Sequence, residues 1–183
     1  MSGTSRYCIV FLLFPFLGGL LLADEGKDKS EQDKKIRLTA VKDTPDPFSP
    51  AMQETTTISG DYLIKPTDGL GQHDKSPEHR FFVRQTVRIA DSAGNETRTL
   101  STEKELTPPL GKEGVTVTVD SAWDGRSDAG NLVPDGAYTY IVSAQLVRIR
   151  EKVKVVGETS AKSGSVTIDR SSPTIALLPE DGA

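Results

Sequence analysis

The sequence predicts an all-β fold of about eight strands, a sandwich or a barrel, and three observations predict it. Apolar and polar residues alternate at period two in one short segment after another. Glycine (16 residues) and proline (11 residues) punctuate the chain between those segments. Beyond the N-terminal region no stretch carries the 3.6-residue period of an amphipathic helix, and no repeat of 20–50 residues marks a solenoid or propeller.

The 183 residues are enough for one domain of ordinary size. Before that domain, Arg6 precedes a continuous apolar run, Cys8 to Leu22, and Ala23 closes it. Positive charge, apolar core and small residue in that order describe a signal peptide over residues 1–23. The run falls short of the roughly 20 apolar residues of a membrane span. Pro15, Gly18 and Gly19 weaken it further as a helix. The alternative is an uncleaved anchor with Arg6 on the cytoplasmic side. Cys8 is the single cysteine. Downstream of the run there is then no disulfide, thiolate nucleophile or cysteine metal site. Residues 24–35 are almost all charged or polar and read as a disordered spacer.

The sandwich is expected over residues 36–170. A first strand begins at Ile36, where Ile36, Leu38 and Ala40 alternate with Arg37, Thr39 and Val41. Residues 43–50 (DTPDPFSP) form a proline-punctuated loop. A threonine-rich strand follows from Glu54 to about Ile64, then a long polar loop over 65–80. Phe81, Val83, Gln85, Val87 and Ile89 make the buried face of the next strand. Asp91 to Asn95 is a turn with Gly94 at positive φ, and Glu96 to Leu100 return as a short strand. Val115, Val117 and Val119 mark the following strand, and residues 124–136 are a dense run of turns. Ala137 to Ile149 is the longest strand. Its apolar parity changes from Tyr138–Leu146 to Val147, Ile149, Val153 and Val155, which predicts a break at Gln145 to Arg148. Ser165 to Asp169 is the last strand, and residues 171–183 are a C-terminal tail.

No catalytic pattern emerges: there is no Gly-x-Ser-x-Gly, no His-Glu-x-x-His and no phosphate loop. His73 and His79 share one polar loop with Asp74 and Glu78, which reads as a solvated loop rather than a metal site. Asp120, Asp124, Asp128 and Asp135 lack the spacing of an EF-hand. No cofactor is expected. The formal net charge of −4 argues against general nucleic-acid binding. One pattern stands out: Arg148, Arg150, Lys152 and Lys154 occupy every second position. On an extended strand they form a basic stripe suited to an acidic protein patch, an acidic glycan or a phosphate group. The same stripe would also protect a sheet edge from aggregation. A turn at Arg150-Glu151 would break it.

Several ordered features carry a resemblance. They are Phe48-Ser-Pro50, Thr55-Thr-Thr-Ile58, Val87-Arg-Ile-Ala-Asp91-Ser-Ala-Gly94, Arg98-Thr-Leu100, Ala122-Trp-Asp-Gly125, Asp128-Ala-Gly-Asn131, Val133-Pro-Asp-Gly136, Tyr138-Thr-Tyr140 and Val166-Thr-Ile-Asp-Arg170. Over roughly residues 45–175 the chain resembles the immunoglobulin-like domain of the flagellar hook-capping protein, found also in secreted bacterial proteins. The resemblance implies an immunoglobulin-like antiparallel β-sandwich. It does not imply hook capping, because a flagellar cap does not leave the cell through a cleaved signal peptide. Ala51-Met-Gln-Glu54 replaces the Asn-Gly-Asp-Gly stretch of many family members, which removes clustered oxygen ligands.

The expectation is therefore a non-catalytic, exported module, periplasmic or at the cell surface. It would bind an envelope protein or an acidic group, and touch membrane only through its N-terminal segment. The alternative is a carbohydrate-binding module, which requires exposed aromatic rings in a row.

Overall fold

The computed structural model describes residues 34–66, 70, 80–107 and 110–171. The expected signal peptide, most of the spacer, His73, His79 and nearly all of the C-terminal tail lie outside the described residues. The described residues fold as an all-β antiparallel sandwich of eight strands: β1 (Ile36–Thr44), β2 (Thr56–Ile64), β3 (Arg80–Ala90), β4 (Glu96–Leu106), β5 (Val115–Trp123), β6 (Gly136–Ile149), β7 (Val153–Glu158) and β8 (Lys162–Ile168). One sheet has the order β1-β2-β5. The other has the order β4-β3-β6-β7, with β8 pairing the first half of β6 and β7 its second half.

Each sheet turns its period-two apolar face inward. Ile58, Tyr62 and Ile64 of β2 meet Phe81, Val83, Val87 and Ile89 of β3 and Tyr140, Val142 and Leu146 of β6 in one buried cluster. After β1 the peptide bonds before Pro45 and Pro47 are cis, and Phe48 then pairs in parallel with Ile168 of β8. The first strand thus serves one sheet and its continuation the other, so the sandwich is closed along that side. Trp123 plugs the end of β5 between Phe48 and Tyr138, with ring centroids 5.5 and 5.3 Å away. Its Nε1 donates to the Arg126 carbonyl at 2.9 Å, which ties the plug to the turn that follows it.

Two expectations change and a third is met in a more specific form. The strand begun at Glu96 does not stop at Leu100 but runs to Leu106. Its last third, Glu103 to Glu105, is held to β3 by ion pairs that single-strand periodicity does not register: Arg84 to Glu103 at 2.6 Å and Arg80 to Glu105 at 2.8 Å. The break expected at Gln145 to Arg148 is found within that range, as a bulge in a ladder and not as an interruption of β6 itself. β6 pairs β3 without interruption from Thr139 to Ile149. The register shift lies in the β6–β7 ladder between Leu146 and Val147, and the extra residue is Val156 of β7. Leu146 and Val147 are both buried because they lie on opposite faces of one unbroken strand. Finally, Leu70, inside the expected polar loop, is fully buried, and its carbonyl accepts from the Leu110 N–H.

A polar network crosses the centre of the core. Tyr62 Oη donates to Gln85 Oε1 at 2.6 Å, and Gln85 Nε2 donates to the Ile58 carbonyl and to Ser121 Oγ. A side chain at Gly60 would collide with this pair, since its Cβ would lie 2.6 Å from Gln85 Oε1. At the edge of the core Tyr140 Oη donates to Asp43 at 2.6 Å. Burial, with Asp61 behind it, pushes the Tyr62 phenol well up, and burial with the Asp43 hydrogen bond does the same for Tyr140. In the unfolded chain these phenols ionise near the ordinary value of about 10. Their raised folded-state values contribute stability that is full below pH 10 and is lost as pH rises towards the folded-state values. Urea midpoints are therefore expected to fall steeply above pH 10, and to fall less in a Tyr62→Phe/Tyr140→Phe variant.

Candidate functional site at the β6–β7 hairpin

The four basic residues of the sequence pattern do not form a linear stripe. A turn over 150–152 folds the segment into the β6–β7 hairpin. Arg148 and Lys154 become directly opposed cross-strand partners, and Arg150 and Lys152 sit in the turn. The structure thus gathers the four residues at one hairpin tip rather than spreading them along an edge. Arg148 is half-buried, while Arg150, Lys152 and Lys154 are exposed. Like charges placed directly opposite each other are unfavourable, so Arg148 and Lys154 cost stability in the isolated domain.

The other face of the hairpin is apolar. Val147 pairs with Val155 and with Phe82, and Ile149 pairs with Val153. Val153 is 60% exposed and Val155 40% exposed. Arg80 lies over the Phe82 ring at 5.0 Å and forms a two-pronged pair with Glu105 at 2.8 Å for each bond. Sequence periodicity marked Val147, Ile149, Val153 and Val155 as one face. That their face backs onto the cations follows only from the turn and from the added residue at Val156.

The opposite end of the sandwich carries the acidic turns. Asp124 receives the Arg126 N–H at 3.2 Å, and Asp128 accepts from the Thr99 N–H and pairs with Arg98 at 3.4 Å. Asp135 pairs with Arg170 at 2.5 Å, and Asp120 accepts from Ser59 at 2.7 Å. These carboxylates pin turns and strands, which accounts for their positions without a cation. Asp91 caps its own turn through Ala93, Asn95 and the Asn95 amide, which holds its carboxyl below the usual range. Beside it a cleft of about 280 Å³ is lined by Thr97, Val133, Pro134 and Tyr138. Among the described residues no group of three or more histidine, cysteine, aspartate or glutamate side chains is placed to hold a metal ion.

Trp123, Tyr138, Tyr140 and Tyr62 are buried. The rings a carbohydrate platform would need are used as core, and the carbohydrate-binding alternative loses its motivation. Among the described residues no helix is long and apolar enough to cross a membrane.

The class that fold and site define is a small antiparallel sandwich with a cationic hairpin at one end. The sequence matches no protein-family model and no curated protein. Among solved structures the chain is similar to PorZ, described as an essential bacterial surface component of the type-IX secretion system of Porphyromonas gingivalis. Identity is 20%, the TM-score is 0.34, and the match covers 77% of this chain and 12% of that one. It is similar also to the Pseudomonas fluorescens alkylpurine DNA glycosylase AlkC bound to DNA containing an abasic site analogue. There the identity is 12%, the TM-score 0.35, and the coverage 74% of this chain and 30% of that one. The chain spans less than a third of either protein. At these TM-scores neither likeness bears on function.

Proposed function

We propose that this chain is a non-catalytic, exported binding or structural module of the bacterial cell envelope, and that the β6–β7 hairpin is its contact surface. The observation that carries the reading is the directly opposed Arg148 and Lys154, an arrangement that costs stability in the free domain and is relieved by an acidic partner. The exposed Val153 and Val155 on the reverse of the same hairpin give that partner an apolar complement. Export is supported by the order of Arg6, apolar run and Ala23 in the sequence. The immunoglobulin-like resemblance to the hook-capping domain supports a scaffold role, since folds of this kind host many binding functions.

The test is crosslinking and capture from an envelope extract, comparing the protein with an R148E/R150E/K152E/K154E variant whose fold is checked by circular dichroism. A specific partner is expected to be captured at least about tenfold less by the variant, a loss of about 1.4 kcal/mol. Equal capture by both proteins would move the contact surface away from the hairpin.

A further inference from the structure

The balance of charge differs between the two ends of the sandwich, cations outnumbering carboxylates at one and carboxylates outnumbering cations at the other. Strand pairing places Ile36, Ile64 and Val115 of one sheet, and Arg80, Ile149 and Val153 of the other, at the end bearing the hairpin. The chain enters the first sheet at this end, where the Lys35 carbonyl accepts from the Lys65 N–H at 2.9 Å beside the Ile36–Ile64 pair, while the Lys34 ammonium reaches back to Ser160 Oγ at 2.7 Å in the turn between β7 and β8, midway along β6. The cations of the hairpin turn therefore share one end with Lys35 and Lys65. Asp91, Asp124, Asp135 and Asp169 lie at or beyond the far ends of the same strands, with Arg98, Arg126 and Arg170 paired among the carboxylates there, and the hairpin end carries Glu105, Glu113 and Glu151 among its more numerous cations. An overall charge of −4 hides this polarity.

We infer that the hairpin end is a docking surface for an anionic phospholipid bilayer. The inference rests on the hairpin reading above and names its partner. Two features of the chain point to lipid rather than to a protein. The tip combines cations in a turn with valines that are 60% and 40% exposed, and a membrane interface takes up both at once: valines against the acyl boundary, ammonium groups against phosphates. The acidic far end is repelled by the same surface, which orients the domain upright. Membrane contact then extends beyond the N-terminal segment to the folded domain.

The experiment is flotation of the full chain with vesicles of phosphatidylcholine alone and of phosphatidylcholine mixed with phosphatidylglycerol. The apolar run is present in every arm, so differences between vesicles and between variants are what is read. K152Q/K154Q is expected to lower partitioning onto the anionic vesicles about 30-fold, at about 1 kcal/mol for each cation. K42Q/R88Q makes the same charge change at exposed positions away from the tip and is expected to leave partitioning unchanged. A local readout accompanies it: an environment-sensitive dye on Val153→Cys, in a Cys8→Ser background, is expected to shift to the blue with anionic vesicles only. No preference for anionic vesicles, equal loss in both charge variants, or an unshifted dye would overturn the bilayer assignment. Loss of a captured envelope protein on charge reversal would still stand in that case, so failure of the lipid assignment is separable from failure of the hairpin as a contact surface.

Discussion

Trp123→Ala is expected to remove about 3–5 kcal/mol of stability, the largest effect of any single substitution in this domain. Trp123 is fully buried and packs on Phe48 and Tyr138. Those rings come from the segment after β1 and from β6, so one side chain joins both sheets at the acidic end. Truncation opens a cavity and also removes the donor to the Arg126 carbonyl, leaving that group without its partner. Against a total stability of about 5–15 kcal/mol, the loss brings many such domains close to unfolding at ambient temperature. Guanidinium denaturation followed by circular dichroism measures it, since Trp123 is the only tryptophan and its fluorescence disappears with it. Trp123→Phe keeps part of the ring contact and is expected to cost less than half as much. A change of under about 0.5 kcal/mol in the alanine variant, the range typical of surface positions, would show that the plug is not packed as described.

Gln85→Leu is expected to cost about 2–4 kcal/mol although it is nearly conservative in volume. The amide joins Tyr62, the Ile58 carbonyl and Ser121, and leucine leaves these buried groups with fewer partners than they have groups to satisfy. Tyr62→Phe alone is expected to cost about 1–1.5 kcal/mol, as for one buried hydrogen bond. The double variant should then be less damaging than the sum of the two, by about 1 kcal/mol, because removing the phenol hydroxyl removes a group that leucine strands. Strict additivity in urea titrations of the four proteins would mean that the network is not coupled.

Much of this fold is legible in the sequence because alternation survives wherever one face of a strand is buried. Gln85 shows both the reach and the limit of that reading. Its position on the inner face of β3 follows from its place between Val83 and Val87, but its partners come from β2 and β5, which no local pattern links to it. The end of β4 is not legible because an edge strand carrying Glu103 and Glu105 has little apolar signal, and its pairing depends on arginines some twenty residues away. The candidate site was half legible. The spacing of Arg148, Arg150, Lys152 and Lys154 identified the residues, yet the hairpin that gathers them depends on a turn at Arg150, where the sequence offers neither glycine nor proline. The added residue at Val156 is likewise invisible to periodicity, since Val155 and Val156 are the same residue type.

The parallel contact between Phe48 and Ile168 has a mechanical consequence. Phe48 N–H donates to the Thr167 carbonyl and Asp169 N–H donates to the Phe48 carbonyl, both at 3.1 Å. β1 begins at Ile36 beside Ile64 at one end of the sandwich and β8 runs out at Ile168 at the other, so tension drawn through the two chain ends runs along the strands. The bonds that hold the segment around Phe48 to β8, and β1 to β2, would then be strained together in shear rather than opened one after another like a zip. A domain strung between an anchored N-terminal side and something pulling from beyond Ser171 would resist that pull in its stiffest direction.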